Sequence, residues 1–261
     1  MLRALYSSAS GMQSQQLNLD VIANNLANVN TAGFKMSKLQ FQDMLYETTK
    51  EAGSQQGGNN QLPASLQIGQ GAAPAATTRL FTQGEMSHTG NNLDLAIQGN
   101  GFFQVAMPDG SFGYTRDGNF KLNSAGTVVT NDGYPVSGGF QAVPQGVTNI
   151  TITGSGAVSY TLADGSKQPG QFQVARFVNP GGLDAMGHNV FKTTDASGAA
   201  ELGDPGANGF GSVQQGYLEL SNVSVVQEMV NLILAQRAYE VNSKAVQAAD
   251  QMMQQSNNLQ R

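Results

Sequence analysis

The chain contains no cysteine and no tryptophan, and its 261 residues include only two histidines. Without cysteine there are no disulfides and no thiolate metal sites, and the redox compartment stays open. Neither His88 nor His188 has an HExxH or paired-ligand spacing, so both read as solvated loop residues and no zinc site is supported. Thirteen basic residues against eighteen acidic ones give a net charge of -5 with no Lys/Arg cluster, which excludes a protein that tracks nucleic-acid phosphates. No apolar run nears the roughly 20 residues a membrane span needs. Ser7, Ser8, Ser10 and Gln13 interrupt the N-terminal stretch before it reaches signal-peptide length. Walker A, G-x-G-x-x-G and G-x-S-x-G patterns are missing. The Asp-Gly pairs lack EF-hand spacing. The expectation is no catalytic site, no metal and no cofactor.

Glycine and proline are also missing, but only from the two ends. Before Gly33 there is one glycine, Gly11, and after Gly216 there is neither residue. Because Gly and Pro in a helix interior cost about 1 and about 3 kcal/mol relative to Ala, this partition predicts two long helices around a turn-rich middle.

Leu2, Leu5, Ala9, Met12, Gln16, Leu19, Ala23 and Leu26 recur at spacings of three and four, a heptad seam with one polar break at Gln16. That helix should stop around Asn28 to Thr31. The other end carries two adjacent seams. One is Leu234, Ala238, Val241, Ala245, Ala248 and Met252; the second is Leu232, Ala235, Tyr239, Asn242, Val246, Ala249 and Met253. With Ser221, Asn222 or Ser224 as N-cap and Glu228 in the first turns, this helix reaches about Asn257, on the order of 50 Å. The simplest pairing, an antiparallel coiled coil of the two ends, covers one seam and leaves the second uncovered, a drive to bind other subunits; the alternative is that both helices lie against the β-rich middle in an ordinary globular core.

In the middle, Pro108-Asp109-Gly110, Arg116-Asp117-Gly118, Ser124-Ala125-Gly126, Asn131-Asp132-Gly133 and Ala163-Asp164-Gly165 signal hairpin turns. Strand-like runs lie between them, at Phe102 to Met107, Gly113 to Thr115, Thr127 to Thr130, Asn149 to Thr153, Ala157 to Leu162 and Gln171 to Val178. They imply an antiparallel β domain. Tyr46 to Gly69 is rich in Gln, Asn and Gly and reads either as a flexible loop or as an extended arm ordered by neighbours. The fold class is therefore α+β: long terminal helices pairing as a coiled coil, an antiparallel β-rich middle and an arm. The expected division is residues 1–33 with 217–261, a connecting segment 34–80, and an outer domain 81–216.

The segment Asn24-Asn25-Leu26-Ala27-Asn28-Val29-Asn30-Thr31-Ala32-Gly33-Phe34-Lys35 resembles the N-terminal signature of the bacterial flagellar rod and hook proteins. Gln215-Gly216-Tyr217, Ser221-Asn222-Val223, Gln236 to Glu240 and Asn242-Ser243-Lys244 resemble the matching C-terminal signature. Gln98 to Val105 and Tyr114 to Phe120 are similar to the family's middle motifs. Length and the Leu62 to Gly71 run look most like the distal-rod branch; a proximal rod or short hook protein is the alternative within the family.

The resemblance implies a subunit that polymerises with itself into a hollow helical shaft in the periplasmic part of the flagellar basal body. The shaft would carry torque, meet other rod proteins and the hook protein, and turn inside the P- and L-rings. The resemblance also implies delivery by the type III export apparatus without a cleaved signal peptide, and no nucleic-acid or membrane partner. Asn24, Asn25, Asn28, Gly33 and Phe34 are the family-motif candidates, the asparagines as polar subunit contacts. The seams would be the assembly surfaces: Leu2, Leu5, Ala9, Met12, Leu19, Ala23 and Leu26 at one end, expected to pack on the C-terminal helix of the same chain, and Leu232, Leu234, Ala238, Tyr239, Val241, Ala245, Val246, Ala248, Met252 and Met253 at the other, whose remaining face would bind neighbours. A different class, a secreted β-rich adhesin on a helical stalk, is compatible with composition, and a cell-wall hydrolase is the enzymatic alternative.

Overall fold

The computed structural model describes residues 2–52, 63–140, 143, 147–162 and 166–259. The chain divides into two compact units, one from Met1–Leu26, Ser37–Thr78 and Ser224–Arg261, the other from Ala27–Met36 and Arg79–Val223.

The first, helical unit holds α1 (Leu2–Ala27) and α2 (Val225–Leu259), the two long helices expected where Gly and Pro are absent. They are in contact and antiparallel. Asn25 of α1 bonds Glu228 of α2, and Gly11 faces Asn242, so equal steps along the two helices run in opposite directions. α1 ends at Ala27, and the Thr31 N–H then turns back onto the Asn28 carbonyl at 3.2 Å. Beside the helices, β1 (Ser37–Asp43) pairs with β4 (Ala72–Arg79), and β2 (Tyr46–Lys50) pairs antiparallel with β3 (Leu66–Gly69). The ends of the Tyr46 to Gly69 arm are thus a two-stranded ribbon, with Tyr46 opposite Gly69 and Thr48 opposite Gln67. Its Gln/Gly-rich centre, 53–62, lies outside the described residues.

The second, β unit is a set of small antiparallel sheets. β5 (Met86–His88) and β6 (Leu95–Gln98) pair with β19 (Tyr217–Glu219) and β18 (Ser212–Gln215) from the far end of the unit. β7 (Phe103–Ala106), β8 (Phe112–Thr115), β16 (Val190–Lys192) and β15 (Asp184–Gly187) form a four-stranded sheet in that order. β9 (Lys121–Leu122) pairs with β10 (Val128–Val129), and β14 (Val174–Arg176) pairs with β17 (Glu201–Gly203). β11 (Val147–Ile152), β12 (Ala157–Leu162) and β13 (Lys167–Gln171) make a three-stranded sheet.

Phe103, Val105, Phe120, Val158, Tyr160, Phe172 and Val174 form the main core of this unit. Phe102, Tyr114, Phe177 and Phe191 form a second, edge-to-face aromatic cluster.

The turns at Gly110, Gly126 and Gly133 form as expected, each glycine N–H returning to the carbonyl three residues back. Arg116-Asp117-Gly118 is a correction: β8 pairs with β7 and β16, and β9 pairs with β10, so no hairpin joins β8 to β9. Gly118 is required there for close approach, since a Cβ would lie on the Leu95 carbonyl while the Leu95 N–H bonds the Gly118 carbonyl at 3.1 Å. Ala163-Asp164-Gly165 lies outside the described residues.

Candidate assembly surface

α2 is amphipathic in an unusual sense, because its more apolar face is the one in solvent. Val226, Val230, Ile233, Leu234, Val241 and Met252 are 45–74% exposed, and Ala245 and Ala248 are exposed with them. The shielded stripe runs through Glu228, Ala235 and Ala249, each under 5% exposed, with Leu232, Asn242, Val246 and Met253 half-buried. The seam left open is therefore the one containing Leu234 and Val241, and the neighbouring seam turns inward. Ala238 is half-buried between the two, and Tyr239, 40% exposed, is the member of the inner seam that stays in solvent. Small alanines explain the choice, because they let a second helix approach closely.

α1 is intermediate, with its apolar seam neither open nor fully covered. Leu5, Met12, Leu19 and Leu26 are half-buried, and Ala9 and Ala23 are exposed. The side chain of Leu2 lies outside the described residues. The residues that α1 buries are Ser14, Ile22 and Asn25, one step around the helix from the leucines, and Gly11 on the same side would meet the Asn242 amide with a Cβ at 2.8 Å. Sequence periodicity identified the leucines as a seam and did not reveal that a stripe of small and polar residues makes the intrachain contact.

Asn25 is the centre of that contact. Its amide donates to the Ser37 carbonyl at 2.8 Å and to Glu228 at 3.2 Å, and its carbonyl accepts from the Ser37 N–H at 2.9 Å. One side chain thus satisfies the start of β1 and fixes it to both helices. Asn24 is exposed and Asn28 half-buried.

The β ribbon adds a second open apolar patch to the helical unit: Leu45, Tyr46, Leu66 and Ile68 are 41–83% exposed. Arg3 reaches Glu47 at 2.6 Å, tying the ribbon to the start of α1.

In the β unit, the three sequence signatures converge on one buried cluster. Glu219 accepts from Lys35 Nζ at 2.6 Å and from the Gly84 N–H at 2.9 Å through Oε1, and from Arg116 at 3.3 Å through Oε2. Lys35 also donates to the Thr82 carbonyl, and Arg116 to the carbonyls of Ile97 and Gly99. Lys35 and Glu219 are fully buried. Burial pushes Lys35 and Arg116 down from their ordinary values, and the Glu219 carboxylate opposes that shift. Gly33, at φ +69°, lies against the Arg116–Asp117 backbone, where a Cβ would come within 2.5 Å of the Asp117 nitrogen, and Phe34 is 5% exposed. Asn222 repeats the role of Asn25 within this unit, accepting from the Met36 N–H at 2.7 Å and donating to the Leu80 carbonyl at 2.8 Å. Only Gly33 and Phe34 of this cluster were sequence candidates; the signal for the rest was that Lys35, Arg116 and Glu219 each fall within or beside a signature.

Among the described residues no group of His, Asp and Glu is placed to hold a metal, and no helix is long and apolar enough to cross a membrane. Residues 5–35 match the model of flagella basal body rod proteins. Residues 96–160 match the flagellar hook protein FlgE/F/G D1 domain, and 214–259 the C-terminal model of the flagellar basal body rod FlgEFG proteins. The flagellar basal-body rod protein FlgG of Borreliella burgdorferi is 48% identical over 265 residues, covering all of both chains. The chain belongs to the FlgG family of flagellar basal-body rod proteins. In Bacillus subtilis the FlgG relative is 41% identical over the full length of both chains, whereas the flagellar hook-basal body complex protein FlhP is 30% identical over 97% of each. That gap favours the FlgG branch over other rod and hook-basal body proteins. FlgG-family proteins are structural, and this chain's place is the rod, among rod and hook components.

Proposed function

We propose that this chain is a distal-rod subunit that polymerises helically into a hollow drive shaft, transmitting torque toward the hook and passing exported subunits through its channel. The observation that carries the assembly surface is the open apolar face of α2. Each large side chain moved from water into a contact is worth on the order of 1 kcal/mol or more, and a helix presenting a row of them is stable in that position when other copies cover it. A helical shaft needs a head-to-tail interface that does not close into a ring, which requires two different complementary patches. The open seam of α2 (Leu234, Val241, Ala245, Ala248 and Met252) and the half-buried seam of α1 (Leu5, Met12, Leu19 and Leu26) supply two such patches. The terminal helices act as the inner coiled-coil layer and the β-rich segment as the outer body. The β2–β3 ribbon bridges subunits and stiffens the shaft. The type III export apparatus, other rod proteins, the hook protein and the P- and L-rings are the partners this reading assigns.

Val241→Asp tests the seam. In a strain lacking the protein it should fail to restore rods and swimming, whereas Gln251→Asp, outside both seams, should restore them. Full-length rods with Val241→Asp would reject the seam. Shortening the ribbon between Tyr46 and Gly69 should give rods that bend more easily, and unchanged stiffness would reject its bridging role.

A further inference from the structure

The β unit is completed by its last segment. β6 carries Leu95, Ala96 and Ile97, each no more than 1% exposed, and its ladder partner is β18; β5 is likewise paired with β19. Val213 of β18 enters the main core. At the end of β19, the Glu219 backbone carbonyl accepts from the Gly33 N–H at 2.8 Å. The Glu219 side chain then sits between two buried cations that lie 184 and 103 residues earlier in the chain.

We propose that Glu219 is a folding latch: the β unit closes only when residues 212–223 arrive and place one carboxylate between Lys35 and Arg116. The charge count gives the reason. Lys35 and Arg116 otherwise face carbonyl oxygens of Thr82, Ile97 and Gly99, and carbonyl dipoles do not replace a counter-ion for two cations in one dry site. Closing residues 27–36 and 79–211 without Glu219 buries two positive charges; with it the cluster carries one. A chain passed unfolded through an export apparatus would keep its larger unit open until residues 212–223 join it. That consequence rests on the proposed function, while the latch itself does not, and it is tested on the purified full-length chain with no rod present.

Urea unfolding is followed by near-ultraviolet circular dichroism and by hydrogen exchange at Leu95 and Phe103. Glu219→Gln should lower the folding constant of the β unit about a hundredfold or more at pH 7. The loss should shrink as pH rises toward 10, because a Lys35 deprived of its counter-ion gives up its proton. Lys35→Met/Glu219→Gln restores the parent's net buried charge and should recover at least tenfold of the loss, which keeps the test decisive even where the single variant does not fold. Parent-like protection in Glu219→Gln would overturn the latch. So would a double variant no better than the single one with a loss independent of pH, since Glu219 would then act by shape alone.

Discussion

The β unit has a large aromatic core, with Phe103, Phe120, Tyr160, Phe172 and Phe191 each 1% exposed, although Phe112 and Val178 remain in solvent. In the helical unit the described interior consists of Ser14, Ile22, Asn25, Leu39, Glu228, Ala235 and Ala249, while Ile233, Leu234, Val241 and Leu45 stand 54–83% in water. One unit satisfies its own apolar residues and the other holds them outward. Since apolar burial dominates folding free energy, the β unit has what it needs to be stable as a monomer, whereas the helical unit is held by a thin layer of small and polar contacts.

The comparison is easiest to break at the β core. Phe103 packs edge-on to Phe120 with ring centroids 5.1 Å apart. Phe103→Ala should cost the β unit about 3–5 kcal/mol, read by urea unfolding of the purified chain, while helix content changes little until that unit melts. Next in size is Asn25→Ala, which leaves both the N–H and the carbonyl of Ser37 without their partner. It should cost the helical unit roughly 2–3 kcal/mol, seen as faster amide exchange in α1 and at the start of α2, with β-unit exchange unchanged.

A smaller, pH-dependent effect is expected at Asp117. Burial holds its carboxyl above the ordinary 3.8, and repulsion from Asp94 and Asp132 adds to that, against the Asn119 N–H that it accepts. The folded state thus keeps a proton that the unfolded chain has lost, so the stability this group contributes is fully present below 3.8 and is lost as pH rises through the folded value. Asp117→Asn keeps the acceptor and should raise thermal stability at pH 7, with the gain vanishing below pH 3.8. An equal gain at both pH values would contradict that origin. Smallest of all should be the effect of Val241→Asp on the monomer: a change within about 0.5 kcal/mol, despite its large effect on assembly.

The helices were legible because Gly and Pro are missing from both ends, and the turn at Gly133 because Asn-Asp-Gly specifies it locally. The antiparallel pairing of the helices was legible too, but which face of each helix turns inward was not. Heptad periodicity marks the face that is most apolar, Leu5 to Leu26 on α1 and Leu234 to Met252 on α2, and that face is suited to burial in an assembly. The intrachain contact through Ser14, Asn25 and Ala235 depends on close approach and on backbone groups of Ser37, which have no periodic signature. Short strands such as β5 and β6 were missed for a related reason: their partners, β19 and β18, come from the other end of the β unit. The pairing of Lys35, Arg116 and Glu219 was hidden in the same way: each lies within or beside a signature, but no local pattern pairs a lysine with a glutamate 184 residues away.

If the proposed assembly is right, the helical unit completes its packing only in the polymer. Hydrogen exchange on dilute monomer and on assembled rods tests it most directly. β-unit amides such as those of Leu95, Phe103 and Val174 should be protected in both states, and α1 and α2 amides should exchange quickly in the monomer and be strongly protected in rods. Helices as protected in the monomer as the β core would contradict it.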